Sequence, residues 1–234
     1  MSPASANENV LLIGASRGLG QAIAQEYVER GSHVVATVRG PGRTPLHDRQ
    51  ETAGDQLEIE HLDMNKEDQV RELRDRLGSR RFDLLFVVAG VTNQEEETVA
   101  DVPTDEFVRL MVTNALSPMR AIETLGGLVE PAGTIAIMSS GQGSIANNNR
   151  GGFEVYRASK SALNQLMRSY AARHAGDSRT LLLMAPGWVR TELGGPGARL
   201  TIGESVPGLV TTIDAQHGRR GLQFLDYQGQ TVPW

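Results

Sequence analysis

Tyr156 and Lys160 are the two residues whose types and spacing most directly suggest chemistry. Residues four positions apart share one face of a helix, so the ammonium group would lie near the phenol. A phenol has a pKa of about 10, and a nearby positive charge lowers it toward the range useful for proton exchange at neutral pH. The chain has only two lysines, Lys66 and Lys160, so this pairing is not expected by chance. We interpret it as a general acid–base pair.

A glycine-rich loop lies far upstream of this pair. It reads Gly14-Ala15-Ser16-Arg17-Gly18-Leu19-Gly20 and joins a predicted strand to a predicted helix. Glycine permits a tight turn and close backbone approach, and the start of the helix offers unpaired N–H groups and a positive dipole end. The G-x-x-x-G-x-G spacing alone would also fit an ordinary turn. Its strand–turn–helix context favours a site for a dinucleotide pyrophosphate.

The end of the second predicted strand bears on which dinucleotide would bind. An acidic residue there would accept hydrogen bonds from a ribose 2′-hydroxyl, but this strand ends in Val38-Arg39. Arg39 and Arg17 could instead pair with a 2′-phosphate through charge-assisted hydrogen bonds. An exposed surface charge is the alternative interpretation of each arginine. We favour NADP(H) as the cofactor.

Three further polar residues occupy positions suited to ligand contact. Ser139 and Ser140 end the fifth predicted strand, and strand carboxyl ends line the ligand crevice of open α/β sheets. A serine pair at a strand end also serves ordinary turns. Asn114 lies inside a predicted helix, where asparagine is a mediocre helix former, which suggests a backbone or water partner. A purely structural role for Asn114 is the alternative.

Strand and helix patterns alternate along the whole chain, which predicts an α/β fold. We expect a single domain, residues 1–234, with a Rossmann-type doubly wound parallel sheet of about seven strands and helices on both faces. The predicted strands are Val10–Ile13, His33–Arg39, Leu57–Met64, Phe82–Gly90, Thr134–Met138, Thr180–Ala185 and Leu222–Tyr227. The predicted helices are Gly18–Gly31, Lys66–Leu77, Thr104–Leu125, Tyr156–His174 and Gly203–Ala215. Residues 40–56, 141–155 and 187–202 are predicted loops.

Composition narrows the function classes. The 234 residues include no Cys, which excludes disulfides, thiolate metal sites and cysteine nucleophiles. The five histidines are scattered, so we expect no metal site, and the net charge of −5 argues against a duplex-DNA partner. No segment reaches about 18 apolar residues, and the polar start MSPASANEN lacks a basic region followed by an apolar run. We expect a cytoplasmic protein that binds neither nucleic acid nor a membrane.

Taken together, these residues resemble the short-chain dehydrogenase/reductase family over essentially the whole chain. The resemblance rests on the glycine loop, Asn114, the serine pair, Tyr156 and Lys160, and on Asp63, Ala89-Gly90 and Pro186-Gly187 after the third, fourth and sixth predicted strands. Segments 138–147 and 224–234 are most similar to carbonyl reductases of the C-factor and sniffer type.

The resemblance implies NADP(H)-dependent interconversion of a ketone or aldehyde and its alcohol. Tyr156 would exchange the proton, and Ser140 would polarise the carbonyl. Lys160 would lower the pKa of Tyr156 and hold the nicotinamide ribose, and Asn114 would hold a water that relays protons to Lys160. The implied cofactor-binding residues are Gly14, Ser16, Arg17, Gly18, Leu19, Gly20, Arg39, Asp63, Met64, Ala89, Gly90, Asn114, Tyr156, Lys160, Pro186, Gly187, Val189 and Thr191.

Two positions depart from the family pattern. Val88 stands where the family usually has an asparagine that braces neighbouring backbone, which puts local rigidity in doubt. The 15 residues between Ser140 and Tyr156 are more than the family usually has. Ser139 and Ser144 therefore stay open as alternative carriers of the catalytic hydroxyl.

The segment of about residues 187–205 is predicted to form the substrate loop. Its closely spaced glycines suit the hinges of a lid, and Trp188, Leu193 and Phe153 could line an apolar pocket, with core packing as the alternative. Because no arginine or lysine cluster marks this loop, we expect an uncharged, medium-sized carbonyl compound and its alcohol. The family resemblance also suggests a homodimer or homotetramer.

Three other functions use related folds. An enoyl reductase would have a longer tyrosine–lysine spacing, and a sugar-nucleotide epimerase would need more than the roughly 50 residues that follow Pro186. A catalytically weak NADP(H)-binding signalling or regulatory protein is the main alternative. NADPH consumption with a panel of ketones distinguishes the enzyme from the regulator.

Overall fold

The structure is a computed structural model that describes residues 8–88 and 90–234. Ala89, a predicted cofactor residue, and most of the polar N-terminal segment lie outside the described residues. Within the described part, seven strands form one sheet: β1 (Asn9–Ile13), β2 (His33–Val38), β3 (Leu57–His61), β4 (Phe82–Val87), β5 (Val129–Met138), β6 (Thr180–Ala185) and β7 (Gly221–Asp226). Every pairing is parallel, in the order β3-β2-β1-β4-β5-β6-β7.

Helices cover both faces of this sheet. They are α1 (Gly18–Glu29), α2 (Pro45–Ala53), α3 (Glu67–Leu77), α4 (Thr104–Met111), α5 (Ser117–Leu125), α6 (Glu154–Arg173) and α7 (Ile202–Ala215). One apolar core includes side chains of α3, α5 and α6, and the other includes side chains of α1, α2 and α7. The predicted fold class, a doubly wound parallel sheet in a single domain, is confirmed.

The strand order reverses between β1 and β4, because the chain builds outward from β1 to β3 and then returns to add β4 on the other side. Open α/β sheets bind ligands outside the strand carboxyl ends at such a reversal. The loops after β1, β2, β4, β5 and β6 all emerge at this edge. The fold therefore fixes the place where the predicted site residues should meet.

The prediction that residues 40–56 form a loop is wrong, because they contain α2 and a 3-10 turn, Gly54–Gln56. Pro45 occupies the first turn of α2, and Thr44 and His47 form a reciprocal capping box. Only Leu46 of this helix is buried. Apolar periodicity misses the helix because its identifying signals are its cap and first-turn proline.

The predicted helix Thr104–Leu125 is continuous but irregular. A π-helical turn, Val112–Leu116, separates α4 from α5 and contains Asn114. Such turns occur often at functional sites. The local geometry thus marks the same asparagine that the sequence singles out.

The other boundaries differ by a few residues, with the largest difference at β5. The prediction begins this strand at Thr134, whereas pairing with β4 extends it back to Val129. Pro131 and Gly133 interrupt the β-branched pattern and coincide with a register shift opposite Phe82 and Leu84. The predicted loop 141–155 contains a 3-10 turn, Gly141–Gly143, and the first two residues of α6. In the part of the chain that is described, no helix is long and apolar enough to cross a membrane.

Two glycines of the loop after β1 have geometric reasons for their identity. Gly14 has a φ of 99°, in the region that side chains rarely adopt. A Cβ on Gly20 would lie 2.0 Å from the carbonyl oxygen of Gly14. The turn into α1 is therefore too tight for any residue with a side chain at position 20.

Replacing Gly20 with alanine should destabilise the protein by about 1–3 kcal/mol, because the backbone must move to relieve the contact. Gly203→Ala is the matched control: its Cβ would meet nothing within 4 Å. It should leave the free energy of unfolding unchanged or raise it by up to about 1 kcal/mol. Urea denaturation of both variants checks this, and equal effects would contradict the steric argument.

Candidate active site

The glycine loop is fixed to the end of β2 and presents the start of α1 to solvent. Thr37 accepts hydrogen bonds from Gly14 N (3.0 Å, to Oγ1) and Ala15 N (2.7 Å, to the carbonyl oxygen). Ser16 Oγ accepts a hydrogen bond from Arg39 N (2.9 Å). No side chain caps α1 at Arg17, so the first-turn N–H groups lack helical acceptors. This is the arrangement that binds phosphate.

Beside this loop, a cavity of about 350 Å³ opens at the carboxyl ends of β2 and β3. Its lining residues are Arg39, Gly40, Pro41, His61, Leu62, Asp63, Lys66 and Gln69. Arg39 and Lys66 are exposed, and neither has an ion-pair partner among the described residues. The cavity thus offers positive charge next to a helix start. Lys66, which the sequence analysis does not assign to the site, could have been suspected as the only other lysine.

The two predicted arginines are placed differently. Arg39 lines the cavity, whereas Arg17 pairs with Glu192 of the substrate loop at 2.5 Å. Both side chains of that pair are about 70% exposed, so the pair contributes little to stability. The side chain of Met64, another implied cofactor residue, is buried in the apolar core beside α3, so any contact of this residue with a cofactor would be made by its main chain.

Tyr156 and Lys160 lie on the first turns of α6, and both are buried. Lys160 Nζ donates a hydrogen bond to the carbonyl oxygen of Met138, the last residue of β5 (3.0 Å), and lies 5.9 Å from the centre of the Tyr156 ring. Burial lowers the pKa of Lys160 to about 8. The neighbouring ammonium predicted from the sequence is therefore present, in an apolar setting.

The predicted fall in the pKa of Tyr156 is not what the structure gives. Burial raises the pKa of this phenol above its usual value, and a hydrogen bond with the Ser140 side chain offsets part of the rise. Desolvation penalises the phenolate. The positive charge of Lys160 favours the phenolate, but the burial of both groups outweighs it.

The structure distinguishes the three candidate serines. Ser139 Oγ donates a hydrogen bond to Asn164 Oδ1 (2.6 Å) inside the protein, and Ser144 Oγ accepts one from Asn147 N (3.1 Å). Ser140 Oγ accepts one from Gln142 N (3.1 Å) and is the serine hydroxyl that reaches Tyr156. Of the three, Ser140 is the one placed beside the phenol.

Asn114 is completely buried and its side chain is engaged by neighbouring groups. Its Oδ1 accepts a hydrogen bond from Val91 N, and its Nδ2 donates to the Val91 carbonyl and to Ser159 Oγ, at 2.8–2.9 Å. Both amide protons are thus used. Val88, at the position where an asparagine is usual, packs against the apolar core, and its N–H donates to Ile13 O (2.8 Å). Asn114 fixes the backbone of Val91, three residues after Val88.

Gly90 and the substrate loop complete the crevice. A Cβ on Gly90 would lie 3.4 Å from Lys160 Nζ and 3.5 Å from Asn114 Oδ1. Across the crevice, a Cβ on Gly18 would lie 3.8 Å from the Thr191 side chain. Residues from β4, β5 and α6 therefore meet at one edge of the sheet, and the substrate loop approaches the glycine loop.

The predicted substrate loop, about residues 187–205, has internal structure, and its last residues belong to α7. Val189 is buried and bridges to Leu200, and Trp188 Nε1 donates a hydrogen bond to Gly194 O (2.8 Å). Thr191 Oγ1 accepts from Gly194 N (3.1 Å), so the predicted hinge glycines form a hydrogen-bonded turn. Pro186 and Gly187 lead from β6 into the loop. The carbonyl oxygen of Pro186 accepts a hydrogen bond from Ser205 Oγ of α7 (2.7 Å).

Two of the three predicted apolar wall residues, Trp188 and Leu193, lie outside the core, whereas Phe153 packs against a small buried cluster. Trp188 is 52% exposed and Leu193 is 45% exposed, while Phe153 is half-buried against Leu110, Val155 and Tyr156. Among residues 8–88 and 90–234, no cluster of three histidine or carboxylate side chains could hold a metal ion.

The buried lysine predicts a specific pH dependence of stability. The pKa of Lys160 is about 8 in the folded protein, whereas the ordinary lysine value, which applies to the unfolded chain, is 10.5. The unfolded chain thus binds more protons between these values, and the stability contribution of Lys160 rises with pH there. The Lys160→Met variant should therefore have a higher free energy of unfolding than the wild type, and this difference should be largest at pH 7–8. The difference should shrink by pH 10, by up to about 3 kcal/mol in total. Urea denaturation without added cofactor measures it, and a constant difference would contradict the burial argument.

Comparison with known proteins agrees with this geometry. A family model described as short chain dehydrogenase matches residues 8–198. The C-signal protein of Myxococcus xanthus is 38% identical over 138 residues, which cover 58% of this chain and 83% of that protein.

Solved structures extend the similarity to the whole fold. A putative short-chain dehydrogenase/reductase from Burkholderia multivorans, with bound NADP, is 59% identical with a TM-score of 0.96, covering 97% of this chain and 100% of that chain. A carbonyl reductase from Pseudomonas aeruginosa PAO1 in complex with NADP is 38% identical with a TM-score of 0.90, covering 98% and 100% of the two chains. The predicted resemblance to relatives of the C-factor type is confirmed by the similarity to C-signal. The carbonyl reductase Sniffer of D. melanogaster, 24% identical with a TM-score of 0.87, covering 98% of this chain and 100% of that chain, shares the fold. With its glycine loop, buried Tyr156/Lys160 pair and matched family model, the chain belongs to the short-chain dehydrogenase/reductase family.

Proposed function

We propose that this protein is an NADP(H)-dependent oxidoreductase that interconverts a ketone or aldehyde and its alcohol, with Tyr156 as the general acid or base. One observation carries the proposal: a buried tyrosine hydrogen-bonded with Ser140 lies beside a buried lysine at the carboxyl edge of the sheet. Hydroxyls placed beside each other suit the binding and protonation of a carbonyl oxygen.

NADP(H) is the proposed cofactor because the residues present suit its charges. The uncapped start of α1 fits a pyrophosphate, and Arg39 and Lys66 place positive charge in the adjoining cavity for a 2′-phosphate. Structural neighbours at 59% and 38% identity were solved with NADP bound. When bound, NADPH supplies the hydride and the protein manages the proton.

The side chains divide the proton chemistry among them. Burial keeps the Tyr156 phenol protonated near neutral pH, so it can donate its proton to the carbonyl oxygen as that oxygen gains negative charge. Ser140 orients the same oxygen. Lys160, with a pKa of about 8, is close to the operating range for returning a proton to the phenolate.

Asn114 is proposed to hold a water in this relay, and its contacts restrict how it could do so. Both protons of its side-chain amide are donated within the protein. The water would therefore be held through an oxygen acceptor of Asn114. The relay leads from Asn114 to Lys160, the two side chains that flank Gly90.

The proposed substrate is an uncharged, medium-sized ketone or aldehyde. Trp188, Leu193 and Ile145 are large apolar side chains exposed by 52%, 45% and 75%, on the loops that follow β6 and β5. Contact with an apolar molecule would remove these side chains from water, which is energetically favourable. We also propose assembly into a homodimer or homotetramer, supported by the exposed Phe107, Val108 and Leu116 of the α4–α5 helix.

Tyr156→Phe should reduce NADPH oxidation with a panel of ketones and aldehydes by at least about 100-fold, and Ser140→Ala by about 100-fold. NADPH affinity should fall far less than turnover, because neither hydroxyl lies at the phosphate loop, although Tyr156 is also an implied cofactor residue. Tyr170→Phe, on the same helix but stacked on His174, is the control and should keep full activity. If wild-type protein binds NADPH tightly and turns over no carbonyl in the panel, the NADP(H)-binding regulatory alternative is favoured. Full activity of Ser140→Ala would remove Ser140 from the mechanism.

Arg39→Asp tests the cofactor assignment. It should lower the preference for NADPH over NADH by at least about tenfold, because a charge-assisted contact is lost and a repulsive one is gained. Arg81→Asp makes the same charge change in an exposed residue just before β4, at the opposite edge of the sheet. It should leave the preference unaltered. Kd values for both nucleotides provide the measurement, and an unchanged preference in Arg39→Asp would sink the 2′-phosphate assignment.

A further inference from the structure

The first turn of α6, which carries Tyr156, lacks a cap of its own. Phe153 occupies the N-cap position with φ 50° and ψ 40°, and its side chain makes no capping hydrogen bond. Its carbonyl oxygen accepts the first helical bond, from Arg157 N (2.9 Å). Tyr156 is then the third residue of the helix, whose N–H is a usual target of an N-cap serine, threonine, aspartate or asparagine. A phenylalanine cannot accept that bond.

A residue from a different part of the chain supplies the missing acceptor. Asn93 Oδ1 accepts a hydrogen bond from Tyr156 N (3.1 Å) across 63 positions of sequence. The Asn93 side chain is 6% exposed, and its Nδ2 donates to Gln94 O (3.0 Å). The amide is thus held in one orientation with its oxygen toward the helix.

The carbonyl of Tyr156 is held as well. It accepts a hydrogen bond from Ser159 Oγ (2.7 Å), and Ser159 Oγ accepts one from Asn114 Nδ2 (2.9 Å). Side chains therefore fix both main-chain polar groups of Tyr156. One of these side chains, Asn93, is assigned no role by the sequence motifs.

The segment that carries Asn93, residues 90–103, makes further hydrogen bonds to the first turn of α6. Phe153 N donates to Glu95 O (2.9 Å), and Val99 N donates to Glu154 Oε2 (2.8 Å). Apolar side chains of this segment also pack against a small buried cluster that includes Tyr156. These contacts hold Asn93 in place, so the start of α6 and the loop after β4 behave as one unit.

We propose that Asn93 is a positioning residue for Tyr156: it serves as the N-cap of α6 from outside the helix and so fixes the phenol relative to Ser140. The inference rests on the proposed function and extends it to a residue outside the catalytic group. Lys160 lies one turn further along α6 and has its own contact with Met138 O. Loss of the cap should therefore displace Tyr156 more than Lys160.

The test compares two substitutions of similar size. Asn93→Leu removes both the acceptor for Tyr156 N–H and the donor to Gln94 O, whereas Asn93→Asp keeps an oxygen facing the Tyr156 N–H and loses only the donor to Gln94 O. Because a displacement of about 1 Å can cost about 100-fold in rate, Asn93→Leu should lower kcat by about 10- to 100-fold. Asn93→Asp should keep kcat within about threefold of wild type, since aspartate caps helices as well as asparagine does. The Kd for NADPH should change by less than about twofold in both, as neither touches the phosphate loop.

Thr180→Val is the control for a general loss of stability. Thr180 Oγ1 donates a buried hydrogen bond to Gln216 O (3.2 Å) at the opposite edge of the sheet. Its loss removes one buried hydrogen bond, as the loss of a helix cap does, so stability should fall to a similar extent while kcat is unchanged. An equal fall in kcat in Thr180→Val, or in Asn93→Asp, would overturn the positioning role. So would wild-type kcat in Asn93→Leu.

A second readout does not depend on turnover. In protein labelled with ¹³C at tyrosine Cζ, the Tyr156 resonance, assigned with Tyr156→Phe, should shift in Asn93→Leu and stay in place in Asn93→Asp. If this pattern holds while wild-type protein reduces no carbonyl, the positioning role stands and the proposed function fails. If wild-type protein is active and the resonance is unmoved in Asn93→Leu, the positioning role fails alone.

Discussion

The burial of Lys160 constrains the rest of the site. An ammonium group that is 3% exposed, with the Met138 carbonyl as its hydrogen-bond acceptor, carries a large desolvation cost. The backbone of neighbouring segments lies close to the Lys160 side chain. A Cβ on Gly143 would lie 3.0 Å from the Lys160 Cβ, and one on Gly90 would lie 3.4 Å from its Nζ. The close approach to Lys160 thus explains Gly143, whereas a Cβ at Gly90 would be in ordinary contact with the ammonium group.

The first turns of α1, α6 and α7, which begin at or near the crevice, are capped in different ways. The start of α1 has no cap, which leaves its N–H groups for an anion. The start of α7 is closed by its own capping box of Thr201 and Glu204, so it makes no demand on the crevice. The start of α6 is closed by Asn93 from a distant segment. Local sequence decides the first two, and tertiary structure decides the third.

That difference explains how much could be predicted from the sequence. The glycine loop and the Tyr156/Lys160 pair are local patterns, and they identify the fold and the centre of the site. The predicted loop 40–56 contains α2, which buries a single apolar side chain and so shows no apolar periodicity. The partner of Arg17 and the contact of Asn93 join positions far apart in the chain, so neither spacing nor composition could reveal them. Burial was the other missing quantity, and it reversed the expected direction of the Tyr156 pKa.

The π-helical turn at Val112–Leu116 allows one helix to serve two separate cores. Upstream of it, Leu110 packs in the small cluster with Val155 and Tyr156, and downstream Ile122 packs in the large core beneath the sheet. Each residue of an α-helix turns the chain by about 100°, so the extra residue of a π turn rotates one half relative to the other. Removing one residue there would restore a regular helix but present the wrong face to one of the two cores. In relatives of this protein, insertions and deletions should therefore be tolerated far better in the loops before α4 and after α5 than inside the π-helical turn.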